Sequence, residues 1–564
     1  MEEKDKLLAE IATAAAEYKA AAAVEPLPYQ GYEDYLQNGN RIAFEDHYFA
    51  RRRQLAVLAL AAHFLADEES LTLLEQVLWE VCNEYTWALP AHLPIKDGVF
   101  APESATCLDL FAAETGGTLA EIYELLGSRL SPFLVSRLLA ELNQRILDSF
   151  EGQAWGWEEL TNNWSSVIAG NIGLTALAVL PVGAPRQKHL VARLDKGMQS
   201  YLRGFEADGA CEEGVGYWGY GFGYFVYYGA KLAKVLGDRR YLDLPKVKAI
   251  ASFPYYAMIR PGSYLPFSDA SATDLPSGLV SWCREELQVP IPTMTGISSL
   301  EFDPCYRFAQ LLRNLQWTTS AITAVHLENS QKLFVNRQWL TMRNPQHQCF
   351  FAAKGGSNEE SHNHLDVGHF IFGTTDELFL TDLGAGEYTR DYFNGDLRYT
   401  FFVNDSRSHH LPVINGQSQQ AGKVAAQIVD YKELVFGEKA DFELDLTKTY
   451  PEASGVSKLQ RRWQVDLALR KVVLTDNFTF THQENLVQER FVTQLLPQLL
   501  GEEVKLVSET TGAVCKLECP RAALSFEAVH YPDHQGVEQV AYVIKADYLV
   551  GQEAQLVTEI KVLR

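Results

Sequence analysis

The chain has 564 residues, 47% of them hydrophobic and 12% aromatic, which is ample for two or three packed domains and excludes a disordered protein. Its formal net charge of −23 disfavours a nucleic-acid partner, because phosphate binding needs a basic footprint. A small acidic ligand is not excluded, since a local basic or amide-rich cleft can sit in an acidic protein.

The first segment, MEEKDKLLAEIATAAAEYKAAAA, is charged and helical and has no basic stretch leading into an apolar one. A cytoplasmic location is therefore expected, or a secreted or periplasmic one if a leader has been trimmed. No uninterrupted apolar run of about 18 residues follows, so no membrane is expected as partner. The eight cysteines are scattered, only Cys515 and Cys519 lie close together, and buried free thiols are expected rather than a disulfide framework.

Over the first ~320 residues, apolar side chains recur at helical spacing in 54–66, 71–85, 131–150 and 166–180, with short Pro- and Gly-bearing loops between. Helix–loop–helix units of this kind stack as a solenoid or close into an α/α toroid. After about residue 330 the texture changes. The segments 331–344, 368–384, 469–481, 538–550 and 554–564 are β-rich with turn residues between them, which suggests an antiparallel β-sandwich. The expected division is a helical domain over 1–325 and a β domain over 326–564.

Two helical segments are rich in aromatic, amide and carboxylate groups. One holds Trp155, Trp157, Asn162, Asn163 and Trp164, and the other runs from Asp208 through Glu213 and Tyr217-Trp218 to Tyr220 and Tyr224. A pyranose has an apolar face and a polar rim, so such residues suit sugar recognition. A packed helix face explains the Tyr/Trp run equally well, and Asn162-Asn163 also reads as a helix cap or turn.

Early in the β part stands Ser361-His362-Asn363-His364, followed by Asp382 and His409. On a strand, residues i and i+2 share a face, so His362 and His364 are expected side by side. Imidazole and carboxylate are zinc ligands, and three protein ligands leave a fourth position open. Whether such a metal does chemistry or holds a site together stays open from spacing alone.

These pieces in this order resemble the heparinase II/III-like polysaccharide lyases. The resemblance spans about residues 80–420 and rests on seven motifs: Trp87-Ala-Leu-Pro-Ala-His92, Leu108-Asp109-Leu-Phe-Ala-Ala-Glu114, Asn162-Asn163-Trp164, Asp208-Gly through Glu213-Gly-Val-Gly-Tyr217-Trp218, Lys354-Gly-Gly through His362-Asn-His364-Leu-Asp366, Asp382-Leu-Gly-Ala-Gly-Glu-Tyr388, and His409-His410-Leu-Pro-Val-Ile-Asn415-Gly416. It implies an incomplete N-terminal α/α toroid followed by a C-terminal antiparallel β-sandwich.

The resemblance also implies β-elimination on a uronic-acid glycan, glycosaminoglycans being the first expectation. In that reaction the substrate carboxylate must be neutralised, a base must take the C5 proton, and an acid must protonate the O4 leaving group. Asn163 is expected to neutralise the carboxylate, with Asn162 as the fallback. Tyr217 and His362 divide the acid–base work, and which of them is the base stays open. Asn162, Trp164, Glu213, Trp218, Tyr388 and Arg398 are expected to bind substrate. Trp87 and His92 are expected to pack or to line the cleft.

The resemblance makes His364, Asp382 and His409 the ligands of a mainly structural Zn2+ that fixes the loop carrying His362. The family often has His-Asn where this chain has His409-His410, and His409 aligns with its histidine. The expected partner is an acidic polysaccharide or oligosaccharide, and a homodimer is allowed for. Two rival readings remain: a glycoside hydrolase using a carboxylate pair among Asp109, Glu114, Asp208 and Glu213, and a non-catalytic glycan-binding protein.

Overall fold

The computed structural model describes residues 2–270, 274–324, 326–360, 362–389, 391–395 and 397–563. Ser361, in the histidine motif, lies outside the described residues. The chain divides into two compact units. One comprises Met1–Phe205, Tyr217–Ala251 and Thr273–Ala324, and the other comprises Glu206–Gly216, Ser252–Ala272 and Val325–Arg564. This differs from a single cut at 325/326, because two excursions from the helical part belong with the strands.

In the helical unit, the second half of Ile42–Phe64 and nearly all of Asn163–Val179 are buried on every side. Both are apolar around their circumference, as core helices are. Pro185–Arg203 is instead amphipathic and buries one face, packing against Asn163–Val179, which also contacts Leu110–Leu126 and Gly223–Leu236. This alternation of inner and outer helices is that of an α/α toroid.

Side-chain caps start the inner helices. Asp109 accepts from the Ala112 amide at 2.7 Å, and Asn162 accepts from the Trp164 amide at 3.2 Å. Close approach between inner helices requires glycine at position 117, where a Cβ would sit 2.2 Å from Asn171 Oδ1. Among the described residues, no helix is long and apolar enough to cross a membrane.

The strand unit is antiparallel throughout its sheets. A five-stranded meander runs Ser330–Phe334, Trp339–Asn344, Cys349–Lys354, Phe370–Thr374, Leu378–Leu380. An eight-stranded sheet has the order Gln427–Val435, Lys439–Asp445, Val456–Asp466, Lys471–Phe480, Glu553–Leu563, Val514–Glu518, Glu503–Val507, Gln498–Leu500. A four-stranded sheet orders Val413–Ile414, Asn485–Thr493, Glu538–Val550 and Ala523–Pro532. Lys471–Phe480 alternates buried and half-buried positions along its length, the period of two expected of a sandwich strand. Cys349–Lys354 is buried on both faces. One apolar core containing Phe351, Phe372, Phe442, Trp463 and Ile544 unites the three sheets.

The two excursions attach through specific contacts. Arg343, buried in the second strand of the meander, donates to the Tyr255 and Met258 carbonyls, and Phe267 packs edge-on to Trp339 at 5.5 Å. Asp208 accepts from the Asn336 amide at 3.1 Å, and Arg337 pairs with Glu212. Asp269 and Glu213 are thereby delivered to the strand unit. All eight cysteines are free, six of them buried and two half-buried.

Candidate functional site

The loop between Cys349–Lys354 and Phe370–Thr374 carries His362, His364, Asp366 and His369. It is irregular rather than a strand, so the pleat argument for His362 and His364 fails. What brings the two rings together is a loop bend. His362 has φ +53°, a left-handed conformation that costs a non-glycine residue about 1–2 kcal/mol. The bend is held by the Asp269 amide donating to the His362 carbonyl at 3.1 Å and the Leu365 amide donating to the Asn404 carbonyl at 2.9 Å.

Asp269 is the centre of this arrangement, and nothing in its sequence neighbourhood pointed to it. Its Oδ2 lies 2.8 Å from His362 Nδ1, and its Oδ1 lies 3.1 Å from His364 Nε2. Tyr392 donates to Oδ1 at 2.5 Å and Arg398 donates to Oδ2 at 3.0 Å. Burial alone would raise the Asp269 carboxyl, but hydrogen bonds from His362 and His364, with the charge of Arg398, hold it well below the usual carboxylate range. Asp269 is therefore ionised, and both histidine nitrogens facing it carry protons.

On the far side of His364 is a buried donor cluster. Single ligand atoms of His364, Asp366, Asp382 and His409 all lie within 4.8 Å of one another. His364 Nδ1 is 3.4 Å from His409 Nε2, which is 3.7 Å from Asp382 Oδ2. Since His364 Nε2 donates to Asp269, its Nδ1 presents a lone pair. His409 Nδ1 donates to the Asp405 carbonyl at 2.9 Å, so its Nε2 presents another. Asp382 Oδ1 accepts from the Gly384 amide at 2.9 Å, while the buried Oδ2 has no hydrogen-bond partner.

Two imidazole nitrogens and a carboxylate oxygen thus converge, a donor set that suits a cation, while burial raises the Asp382 carboxyl above its usual value and His369 Nε2 stands 3.4 Å from its Oδ2. Burial lowers the His409 imidazole below its usual value despite the nearby Asp382 charge, keeping it neutral as a ligand must be. Asp366, not among the site residues expected from sequence, belongs to the same cluster and is also held by Lys354 Nζ at 2.6 Å. His410 points away: its Nε2 bonds the Thr381 carbonyl at 3.0 Å, so His409 alone of the pair joins the cluster.

Around His362 the strand unit gathers further expected residues. Glu213 is buried, with Oε1 3.7 Å from His362 Nε2. The Tyr388 ring stacks toward His362 at 6.4 Å and 28°, within an aromatic group that includes Phe393 and His534. Arg398 was expected to hold substrate charge. Its guanidinium instead bonds Asp269 and the Asn363 carbonyl, at 2.9 Å to the latter, and so fixes the histidine loop.

In the helical unit, Asn163 opens its helix, 4% exposed, and its Oδ1 is buried without a hydrogen-bond partner. The Asn162 Oδ1 is used by the cap, a bond that leaves its Nδ2 amide uncommitted. Half-buried Trp164 meets His92 edge-on at 5.0 Å. Tyr217 is half-buried at the end of a short helical turn that continues into a π-helical segment, Trp218–Phe222.

Trp218 is corrected: at 1% exposure it donates Nε1–H to the Ile250 carbonyl at 2.8 Å and packs beside Phe222, with no face left for a sugar. Trp87 is likewise buried, donating to the Val81 carbonyl. Two of the four carboxylates of the hydrolase reading are occupied. Asp109 caps its helix and binds His92 Nδ1 at 2.7 Å, and Glu114 accepts from Tyr220 and Tyr224 and pairs with Arg307 at 3.2 Å.

No protein-family model matches the sequence, and no curated protein matches it. Solved structures do. A structure of heparinase III shares 13% identity with a TM-score of 0.62, covering 100% of this chain and 91% of that one. A heparan sulfate lyase from Pedobacter heparinus shares 13% identity and a TM-score of 0.62, covering 98% and 88%. A further heparinase III structure shares 12% identity and a TM-score of 0.62, covering 96% and 85%. At these identities the likeness is one of fold, and that fold is the helical toroid followed by a β-sandwich of the heparinase-like polysaccharide lyases.

Proposed function

We propose that this chain is a lyase that cleaves uronic-acid-containing polysaccharides or oligosaccharides, glycosaminoglycan-like ones first, by β-elimination. The observation that carries the reading is the pair of bonds on Asp269. One oxygen holds His362, and the other holds His364 of the buried donor cluster. A histidine oriented this firmly beside a cation-suited cluster is built to meet a substrate rather than to fill a core. The likeness to heparinase III and heparan sulfate lyase structures supports the same reading.

The proposed roles follow from the three tasks of the reaction. The Asn163 amide donates to the substrate carboxylate, lowering the cost of the enediolate that forms when the C5 proton leaves. Tyr217 and His362 share the proton transfers. Because His362 Nδ1 is engaged by Asp269, its exchange with substrate runs through Nε2. Glu213 and Tyr388, beside His362, and Trp164 contact sugar hydroxyls and ring faces. His364, Asp382 and His409 hold the metal, proposed as zinc, with Asp366 adjoining. When bound, the ion supplies fixed positive charge that locks His364 against Asp269, and the elimination is carried by the side chains.

The test is a panel of uronic-acid glycans assayed for the ultraviolet absorbance of a 4,5-unsaturated uronyl product. The wild-type protein should generate it on at least one glycan. Tyr217→Phe should reduce the rate by about 10²–10⁴-fold with unchanged circular dichroism and melting. Near-wild-type turnover by Tyr217→Phe would sink the assignment.

A further inference from the structure

Three helices of the helical unit run in one direction, and chemistry-bearing side chains collect at both of their ends. At the N-terminal ends, Glu114 of Leu110–Leu126 binds Tyr220 and Tyr224, and also Arg307, which immediately precedes Phe308–Trp317. Toward the C-terminal ends, Glu121 of the first helix pairs with Arg313 of the third. The Arg313 guanidinium lies 5.0 Å from the ring centroid of Tyr227 in Gly223–Leu236.

The N-terminal end is the one that carries Asn163, which packs against Gly221. The C-terminal end opens a cavity of about 470 Å3, within the range of small-ligand sites. From Tyr220 to Lys234 the chain climbs fourteen residues, or ~20 Å at the helical rise, so within the helical unit this cavity is remote from Asn163 and Tyr217.

The lining of the cavity has a definite chemistry. Two indoles, Trp282 and Trp317, stand 5.8 Å apart at 32° and give it an aromatic wall. Lys231 and Lys234, one helical turn apart, supply ammonium groups. Lys231 pairs with Glu124 and Arg313 with Glu121. Lys234 is exposed and makes no ion pair among the described residues. Two neutralised pairs and one spare cation leave the cavity net positive on a protein of charge −23. An aromatic wall takes the apolar face of a sugar ring, a spare ammonium takes a carboxylate, and the paired charges offer donors and acceptors to hydroxyls.

We propose that this cavity is a second, non-catalytic saccharide site that takes a uronate-bearing oligosaccharide. The proposal goes beyond the lyase reading and stands apart from it, because it rests on the lining alone.

The experiment is isothermal titration of the full chain with a hexasaccharide of alternating glucuronate and N-acetylglucosamine. All proteins carry Tyr217→Phe so that the probe is not consumed, and maltohexaose serves as the neutral control. The expected result is a binding event that weakens about tenfold in Lys234→Glu, disappears in Trp317→Ala, and is absent with maltohexaose. Lys234 is exposed, so Lys234→Glu should melt as its parent does and reads the site without a folding cost. Unchanged binding in Lys234→Glu and Trp317→Ala, or equal binding of maltohexaose, would overturn the proposal. If no glycan is cleaved by the wild-type protein but the Lys234-sensitive event persists, the lyase reading fails while the second site stands.

Discussion

Asp269 divides its two oxygens between His362 and His364, and Arg398 and Tyr392 hold it from the remaining sides. Replacing it by Asn leaves one acceptor oxygen and turns an amide donor toward an imidazole that is itself a donor, so only one of the two histidines stays fixed. Asp269→Asn should lower kcat by about 10–100-fold with a smaller change in KM, and should lower the metal content of the purified protein, as loss of a group that orients a ligand does. Steady-state kinetics with elemental analysis checks this, and wild-type values of both would show that Asp269 is only a local filler. The neighbouring asparagines separate in the same way. Asn162→Ala removes a cap and should cost about 1 kcal/mol in thermal or denaturant unfolding with little change in turnover. Asn163→Ala should abolish most turnover. Reversed effects would exchange their roles. Glu213 and Tyr388 lie beside His362, and His409 lies in the donor cluster, and all three stand in motifs whose order the sequence displays. Asp269 was not legible there, since an aspartate in a Pro- and Gly-bearing loop 93 residues from His362 looks like any turn residue.

At the scale of elements, periodicity located the helices near 54–66, 71–85 and 166–180 and the strands near 331–344 and 471–480, because burial of one face or of all faces leaves a mark in the sequence. It misled at the histidine motif. An i, i+2 pair resembles a strand, but the loop is set by a positive φ at His362 and by bonds to residues 269 and 404, and none of these is local in sequence. It was silent on the Tyr/Trp run, where packing and binding use the same residue types. Trp218 went to packing, and Tyr220 and Tyr224 went to Glu114. Close helix packing gives a further expectation. A methyl at position 117 meets Asn171 Oδ1 at 2.2 Å, so Gly117→Ala should destabilise the helical unit by about 1–3 kcal/mol, read as a lowered denaturation midpoint. A neutral or stabilising effect would show that these helices can move apart at little cost.

For the whole molecule, the motif order read along the chain and the fold agree, while the division into units does not reduce to one cut. The excursions Glu206–Gly216 and Ser252–Ala272 carry Glu213 and Asp269 out of the helical sequence and into the strand unit. The buried donor cluster there has an energetic consequence. A cation held by His364, Asp382 and His409 stabilises the folded state by mass action, about 4 kcal/mol at a thousandfold excess over its dissociation constant. Chelation should therefore lower the melting temperature, and restoring zinc should recover it. An active, purified protein free of metal would remove the zinc assignment. Mass spectrometry of the products from one defined uronic-acid oligosaccharide separates elimination from hydrolysis. Elimination predicts two fragments whose masses sum to that of the substrate, one bearing an unsaturated uronyl end. Fragments that sum to the substrate plus one water, or an intact substrate across the whole glycan panel, would contradict it.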